Sequence, residues 1–160
     1  MPRHTESQNP SSTSSMNTMN QIQIRQLNEA DIEGFHSCID AVARERKFLG
    51  LVQAFPLEKT RRWLMAGIEN WEICLIALDG AKIVGWCDID LSNRGGFTHA
   101  GKLGMGLLKE YRGQELGTRL LKETLTVAKE HGLERVELDV FASNTTAIKF
   151  YEKFNFQIEG

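Results

Sequence analysis

Two apolar runs, WEICLIAL (71–78) and KIVGWCDIDL (82–91), stand either side of the dipeptide Asp79-Gly80. Asp-Gly between strand-like segments marks a tight antiparallel hairpin, since glycine adopts the left-handed backbone that such a turn requires. The elements around this hairpin follow from their periods. IQIRQL (22–27) alternates as a short strand, and Asn28 then caps a helix, with Asp31 three residues later. That helix carries Ile32, Phe35, Ile39, Val42 and Ala43 at helical spacing and runs to about residue 46. Pro56 opens a second helix through Leu57, Trp63 and Leu64. NRGG (93–96) reads as a turn, and residues 100–108 as the next strand. A helix from Leu116 to His131 stops at Gly132. RVELDV (135–140) alternates as a strand, residues 145–154 form a helix capped by Asn144, and FQIE begins a final strand. An antiparallel meander followed by β-α-β places the fold in the α+β (mixed α/β) class.

The 160 residues are 41% hydrophobic, which suits one domain with one core, here residues 21–160. Residues 1–20, rich in Ser, Thr, Asn and Gln, are expected to be a disordered tail, with Met16 and Met19 as alternative starts. They lack the apolar stretch of a secretory signal. With a net charge of −2 and interspersed charges, no basic face for nucleic acid or anionic lipid stands out. No apolar run reaches the roughly 18 residues of a membrane span. Cys38, Cys74 and Cys87 fit neither a disulfide framework nor a metal pattern. They read as small buried residues in a reducing compartment, which points to the cytoplasm. Trp63, Trp71, Trp86, Phe48 and Phe55 are expected in the core.

KEYRGQELG (109–117) joins the strand at 100–108 to the long helix. Unpaired N–H groups and the helix dipole at such a junction favour an anion. Gly113 and Gly117 allow close approach, and Arg112 can add charge-assisted hydrogen bonds. Two glycines fit an ordinary strand-to-helix turn equally well.

A second segment, SNTTAIKFYEKFNF (143–156), gives this turn a context. Together the two segments resemble the GNAT superfamily of acyl-CoA-dependent N-acetyltransferases. Arg112 to Gly117 match its Q/R-x-x-G-x-G/A signature, and Asn144 to Phe156 match N-x-x-A-x-x-x-Y-x-x-x-G-F. The resemblance runs from about Ile22 to the end. It implies a twisted mixed sheet flanked by helices and splayed between its central strands, with acetyl-CoA as cosubstrate and no metal. The backbone of Arg112, Gly113, Gln114, Glu115, Leu116, Gly117 and Thr118 would cradle the pyrophosphate. Met105, Leu107 and Leu108 would pair with the pantetheine arm like an added strand. Gly104 and Gly106 suit the splay. Asn144 and Ala147 of the second motif would also meet the cofactor, although Asn144 is equally explained as a helix cap. Tyr151 would be the general acid to the CoA thiolate as an amine attacks directly, or else a half-buried core tyrosine. The acceptor would be a small-molecule or N-terminal amine, and the segment 44–56 would belong to its site. No base identifies itself among His99, Asp88, Asp90 and Glu45. A noncatalytic acyl-CoA-binding regulatory module is the alternative function.

Two residues depart from the signatures. Glu115 stands where the family has glycine. Against a phosphate about 8 Å away it would cost roughly 2 kcal/mol at an effective dielectric near 20. Asn155 replaces another glycine, mildly, since Asn tolerates a left-handed helix end. The family's sheet also closes with a further strand beside residues 135–140, and this sequence stops before it. The expectation is therefore a chain truncated from a longer protein, or pairing between two copies in a homodimer.

Overall fold

The computed structural model describes residues 21–91 and 99–160. The tail at 1–20 and the turn at 93–96 lie outside the described residues. Among these described residues five strands form one sheet in the order β1-β2-β3-β4-β5: β1 (Ile22–Gln26), β2 (Ile73–Asp79), β3 (Lys82–Asp90), β4 (Ala100–Leu107) and β5 (Arg135–Glu137). The first three pairings are antiparallel and the last is parallel. Among the described residues four α-helices flank it: α1 (Ile32–Arg44), α2 (Leu57–Glu69), α3 (Leu116–Glu130) and α4 (Thr145–Glu152). The class is the mixed α/β arrangement expected from the meander and the β-α-β order. No helix among the described residues is long and apolar enough to cross a membrane.

Local chemistry sets the boundaries. Asp79 pairs with Lys82, leaving a two-residue turn in which Gly80 takes φ +61°. The Asn28 side chain accepts from the Ala30 N–H, and Asp31 accepts from the Asn28 N–H at 2.8 Å, a complete capping box. It opens a 3-10 turn (Glu29–Asp31) before α1. Asp31 also receives two hydrogen bonds from Arg25, at 2.6 and 2.8 Å, which pin the helix start to β1. Gly132 closes α3 at φ +78°, with Gly132 N–H donating to Lys129 and Leu133 N–H to Ala128. That is the Schellman pattern. Asn155 ends α4 in the same way, at φ +67°, so the expected left-handed asparagine is found.

The core lies on both faces of the sheet. On one, Phe35, Val42, Ile76, Val84 and Trp86 are buried under α1 and α2. On the other, Ile73, Leu75, Cys87, Ile89 and Leu103 are buried with Leu120, Leu121 and Ala128 of α3. Of the five aromatics expected inside, Trp86 alone is buried; Phe48, Phe55, Trp63 and Trp71 are exposed. Trp71 is the extreme case, 82% exposed, because the chain turns there through a left-handed residue (φ +57°) that points the ring outward.

Two strand expectations need correction. β5 ends at Glu137 rather than 140, and residues 156–160 form no strand. A strand exists only where a neighbour takes up its backbone groups. Beyond Glu137 the chain diverges from β4, and no strand lies beside 156–160 among the described residues. An ion pair between Arg135 and Glu159 at 2.6 Å keeps the end of the chain near β5.

Gly106 makes room for Trp86, since a Cβ there would lie 2.4 Å from the far edge of the indole. That ring is locked against Phe35, 6.0 Å between centroids, and cannot swing aside freely. Gly106→Ala is expected to cost about 1–3 kcal/mol, read as a lower urea midpoint. A change under about 0.5 kcal/mol would mean the indole yields without cost.

Candidate active site

The parallel ladder of β4 and β5 covers only Ala100–Lys102 opposite Arg135–Glu137. From Leu103 to Leu107, β4 is paired on its β3 side alone. Every second backbone N–H and C=O of this stretch therefore faces a gap, with no strand partner among the described residues. Met105, Leu107 and Leu108 fall in or just after it. On the face beneath α1 and α2, β4 presents Gly104 and Gly106, so its main chain is bare there except for Asp88 and Trp86 from β3 leaning across.

The gap runs directly into a 3-10 turn (Lys109–Tyr111), then Arg112, Gly113, Gln114 and Glu115, and then α3. Gly113 has φ +72°, with open space where a Cβ would stand. Glu115 precedes the helix at φ +65°, exposed and making no side-chain cap. Two left-handed residues so close together curl the backbone into a concave run of N–H groups. The first-turn N–H groups of Leu116, Gly117 and Thr118 have no intrahelical acceptor and carry the positive end of the helix dipole. Such a junction can take up an anion. Besides its charge, Glu115 is a conformational departure, a non-glycine residue holding a left-handed position.

Arg112 donates from Nη1 and Nη2 to both Glu45 carboxylate oxygens, at 2.8 and 2.5 Å. It donates again from Nε and Nη2 to the Leu107 carbonyl, at 3.1 and 2.9 Å. The Phe48 ring covers the guanidinium at 4.3 Å. Just before it, Tyr111 donates to Asp79 at 2.5 Å, which pushes the Tyr111 phenol up to about 12. Sequence reasoning missed both anchors, because the partners are 67 and 32 residues away and only the folded chain brings them together.

Tyr151 packs against the α3-face core, with Phe150 at 5.2 Å and Phe156 at 5.7 Å. Gly117 lies against Leu107 and Phe150. The helix bearing Tyr151, the start of α3 and the unpaired length of β4 therefore meet. Burial, with Cys87 nearby, raises the Tyr151 phenol well above its ordinary value, so it stays protonated at neutral pH. Asn144 accepts from the Ala147 N–H at 3.2 Å and caps α4. Its amide NH2 is the part of the side chain that this cap leaves unused.

The four groups considered as a base are not equivalent. His99 lies at the start of β4, bonded to the Gly132 carbonyl at 3.2 Å, at the opposite end of the strand from the turn. Glu45 is held low by Arg112 and is a poor proton acceptor at neutral pH. Asp88, beside Gly104, is pushed up to about 7, first by burial and then by the charges of Asp90 and Glu72. A small cavity of about 20 Å³, room for one water, adjoins it between β2, β3 and α2. The cysteines are buried and free, and burial pushes Cys38 and Cys87 up to about 12. Such thiols are inert as nucleophiles.

Comparison with known proteins follows the same direction. A sequence profile of the Acetyltransferase (GNAT) family matches residues 35–156. The chain is 32% identical over 91 residues to N-alpha-acetyltransferase 30 of Schizosaccharomyces pombe, covering 56% of this chain and 61% of that protein. It is 30% identical over 87 residues to the L-amino acid N-acetyltransferase AaaT of Escherichia coli, covering 54% of each. The chain thus spans a little over half the length of these curated relatives. A GNAT-family acetyltransferase structure from Streptococcus pneumoniae superposes with a TM-score of 0.79 at 28% identity, over 87% of this chain and 86% of that one. A Salmonella typhimurium acetyltransferase, yncA, solved with acetyl-CoA, shares the fold at 15% identity and a TM-score of 0.79, over 88% of this chain and 82% of that one.

Two outcomes are expected of this site. A left-handed non-glycine residue costs about 1–2 kcal/mol, offset in part by the greater unfolded-state freedom of glycine. Glu115→Gly should therefore stabilise the protein by about 0.5–1 kcal/mol in chemical denaturation; a loss of stability would show that Glu115 makes a contact outweighing its strain. The second concerns Asp88. Between about pH 4 and 7 the unfolded carboxyl ionises while the folded one keeps its proton, so the wild type loses stability as pH rises through that window. Asp88→Asn cannot ionise. Its stability relative to wild type should climb by about 1–3 kcal/mol from pH 4 to pH 8, and a flat difference would refute the raised pKa.

Proposed function

The chain belongs to the Acetyltransferase (GNAT) family, and from that premise we propose that it transfers an acetyl group from acetyl-CoA to a primary amine by direct attack. One observation carries the reading: the unpaired length of β4, the anion-binding turn opening α3 and the Tyr151 helix converge on one place. The residues fit the cosubstrate part by part. The concave N–H run from Gly113 to Thr118 suits the pyrophosphate. The edge open at Met105, ahead of the Leu107 carbonyl that Arg112 occupies, suits the amide-bearing pantetheine arm, which can pair with it as a strand would.

Bound there, acetyl-CoA supplies a thioester carbonyl open to a neutral amine. Tyr151 answers the charge that gathers on sulfur. An ordinary phenol is a weaker acid than a thiol by about 1.5 pK units, so full proton transfer is uphill by roughly 2 kcal/mol, and burial makes it steeper. The hydroxyl accordingly serves as a hydrogen-bond donor to the departing thiolate, an effect of typically 10²–10⁴-fold. Buried, high-pKa cysteines favour direct attack over an acyl-cysteine route. The names of the two relatives at 30% identity or more point to an amine of an amino acid or of a peptide N-terminus as the acceptor class.

Thiol release over a panel of amino acids, N-terminal peptides and small amines tests the reading, with acetyl-CoA binding followed by calorimetry. Tyr151→Phe should lower turnover about 10²-fold or more while leaving acetyl-CoA affinity within a factor of two, since the ring still packs. Binding without thiol release from any amine would overturn the transferase, and unchanged turnover in the variant would remove Tyr151 from the chemistry.

A further inference from the structure

We infer that Arg112 is a positioning residue that locks the anion-binding turn in place and does not itself contact phosphate. The inference rests on the acetyl-CoA reading above and sharpens its account of what binds the anion. A guanidinium has five N–H donors in a rigid plane. The bonds to Glu45 and Leu107 engage both Nη groups and Nε, and Phe48 closes one face of the plane. The charge is balanced by a bidentate carboxylate that is itself only partly exposed. Four of the five N–H groups are engaged, and a phosphate reaching the remaining one on Nη1 would meet a charge already paired with Glu45.

What the contacts accomplish is mechanical. Arg112 sits one residue before Gly113 and ties three separate pieces together: the last carbonyl of β4, the residue just past α1, and Phe48 of the following segment. Lysine cannot replace it, because a point charge on a flexible stem cannot bridge a carboxylate fork and a carbonyl at once. The concave N–H run then binds the anion from a backbone already held in the bound shape, which spares the cost of ordering it.

The two roles predict opposite signs for one substitution. If Arg112 positions the turn through Glu45, Glu45→Gln and Arg112→Lys should each weaken acetyl-CoA binding roughly tenfold by calorimetry, and the double variant should be no weaker than either. The salt slope of binding should stay unchanged, because no phosphate contact is lost. If Arg112 were a phosphate ligand, Glu45→Gln would free it and tighten binding at low salt, while Arg112→Lys would keep most of the affinity. Either result overturns the inference. A readout without ligand separates this from the acetyl-CoA reading: amide exchange at Gly113–Thr118 should quicken in both variants while the core of the sheet stays protected. Unchanged exchange would refute the positioning role even in a protein that binds acetyl-CoA. Quickened exchange in a protein that fails to bind acetyl-CoA at millimolar concentration would uphold the lock and overturn the transferase.

Discussion

Three residues of parallel pairing between β4 and β5 decide the character of this molecule. A ladder that ran on to Leu107 would satisfy every backbone group of β4 and leave a closed sheet with nothing to bind. Because it stops at Lys102, every second residue from Leu103 to Leu107 directs its polar backbone into a gap between the last two strands of the sheet. Unmet hydrogen bonds in a half-buried place are costly, about 1–3 kcal/mol per group, so such a gap has to be filled by water or by a ligand that resembles a strand. The cleft is thus a deliberate interruption of the interaction that otherwise holds the sheet together.

The surroundings of the gap follow from what β4 leaves out. Gly104 and Gly106 have no side chains, so Asp88 and Trp86 of β3 extend over the strand and line it from one face. On the other face, Met105 and Leu107 pack against the same buried cluster as Tyr151 and Phe150 of α4. A single strand therefore sets an apolar, aromatic wall against a carboxyl that holds its proton near neutral pH. Alternation of side chains along a strand makes this two-faced arrangement possible within five residues.

Glu115 and Asn155 stand where the two signature motifs have glycine, and both lie in the left-handed region, at φ +65° and +67°. Glycine is the usual choice at such positions because it lacks the Cβ that opposes the conformation. Asn155 was legible as a helix end, since asparagine is the usual substitute. At Glu115 the charge beside an expected phosphate was legible, but its left-handed backbone and the steric cost of that backbone were not.

Much of the architecture was legible in one dimension. The hairpin at Asp79-Gly80, the cap at Asn28, the stop at Gly132 and the cap at Asn144 are each decided by residues within a few positions, so the sequence by itself determined where most helices and strands begin and end. The turn at 112–117 and its link to the Tyr151 helix were likewise visible as motifs. Only the tertiary structure decided where β5 stops, because strand formation depends on a neighbour and β4 has already turned away. It alone paired Arg112 with Glu45 across 67 residues and lifted the Asp88 carboxyl by burial beside Asp90 and Glu72. Hydrogen bonds along the chain are set by spacing. Those between distant segments, and the solvent exclusion that shifts a proton affinity, exist only once the chain has folded back on itself.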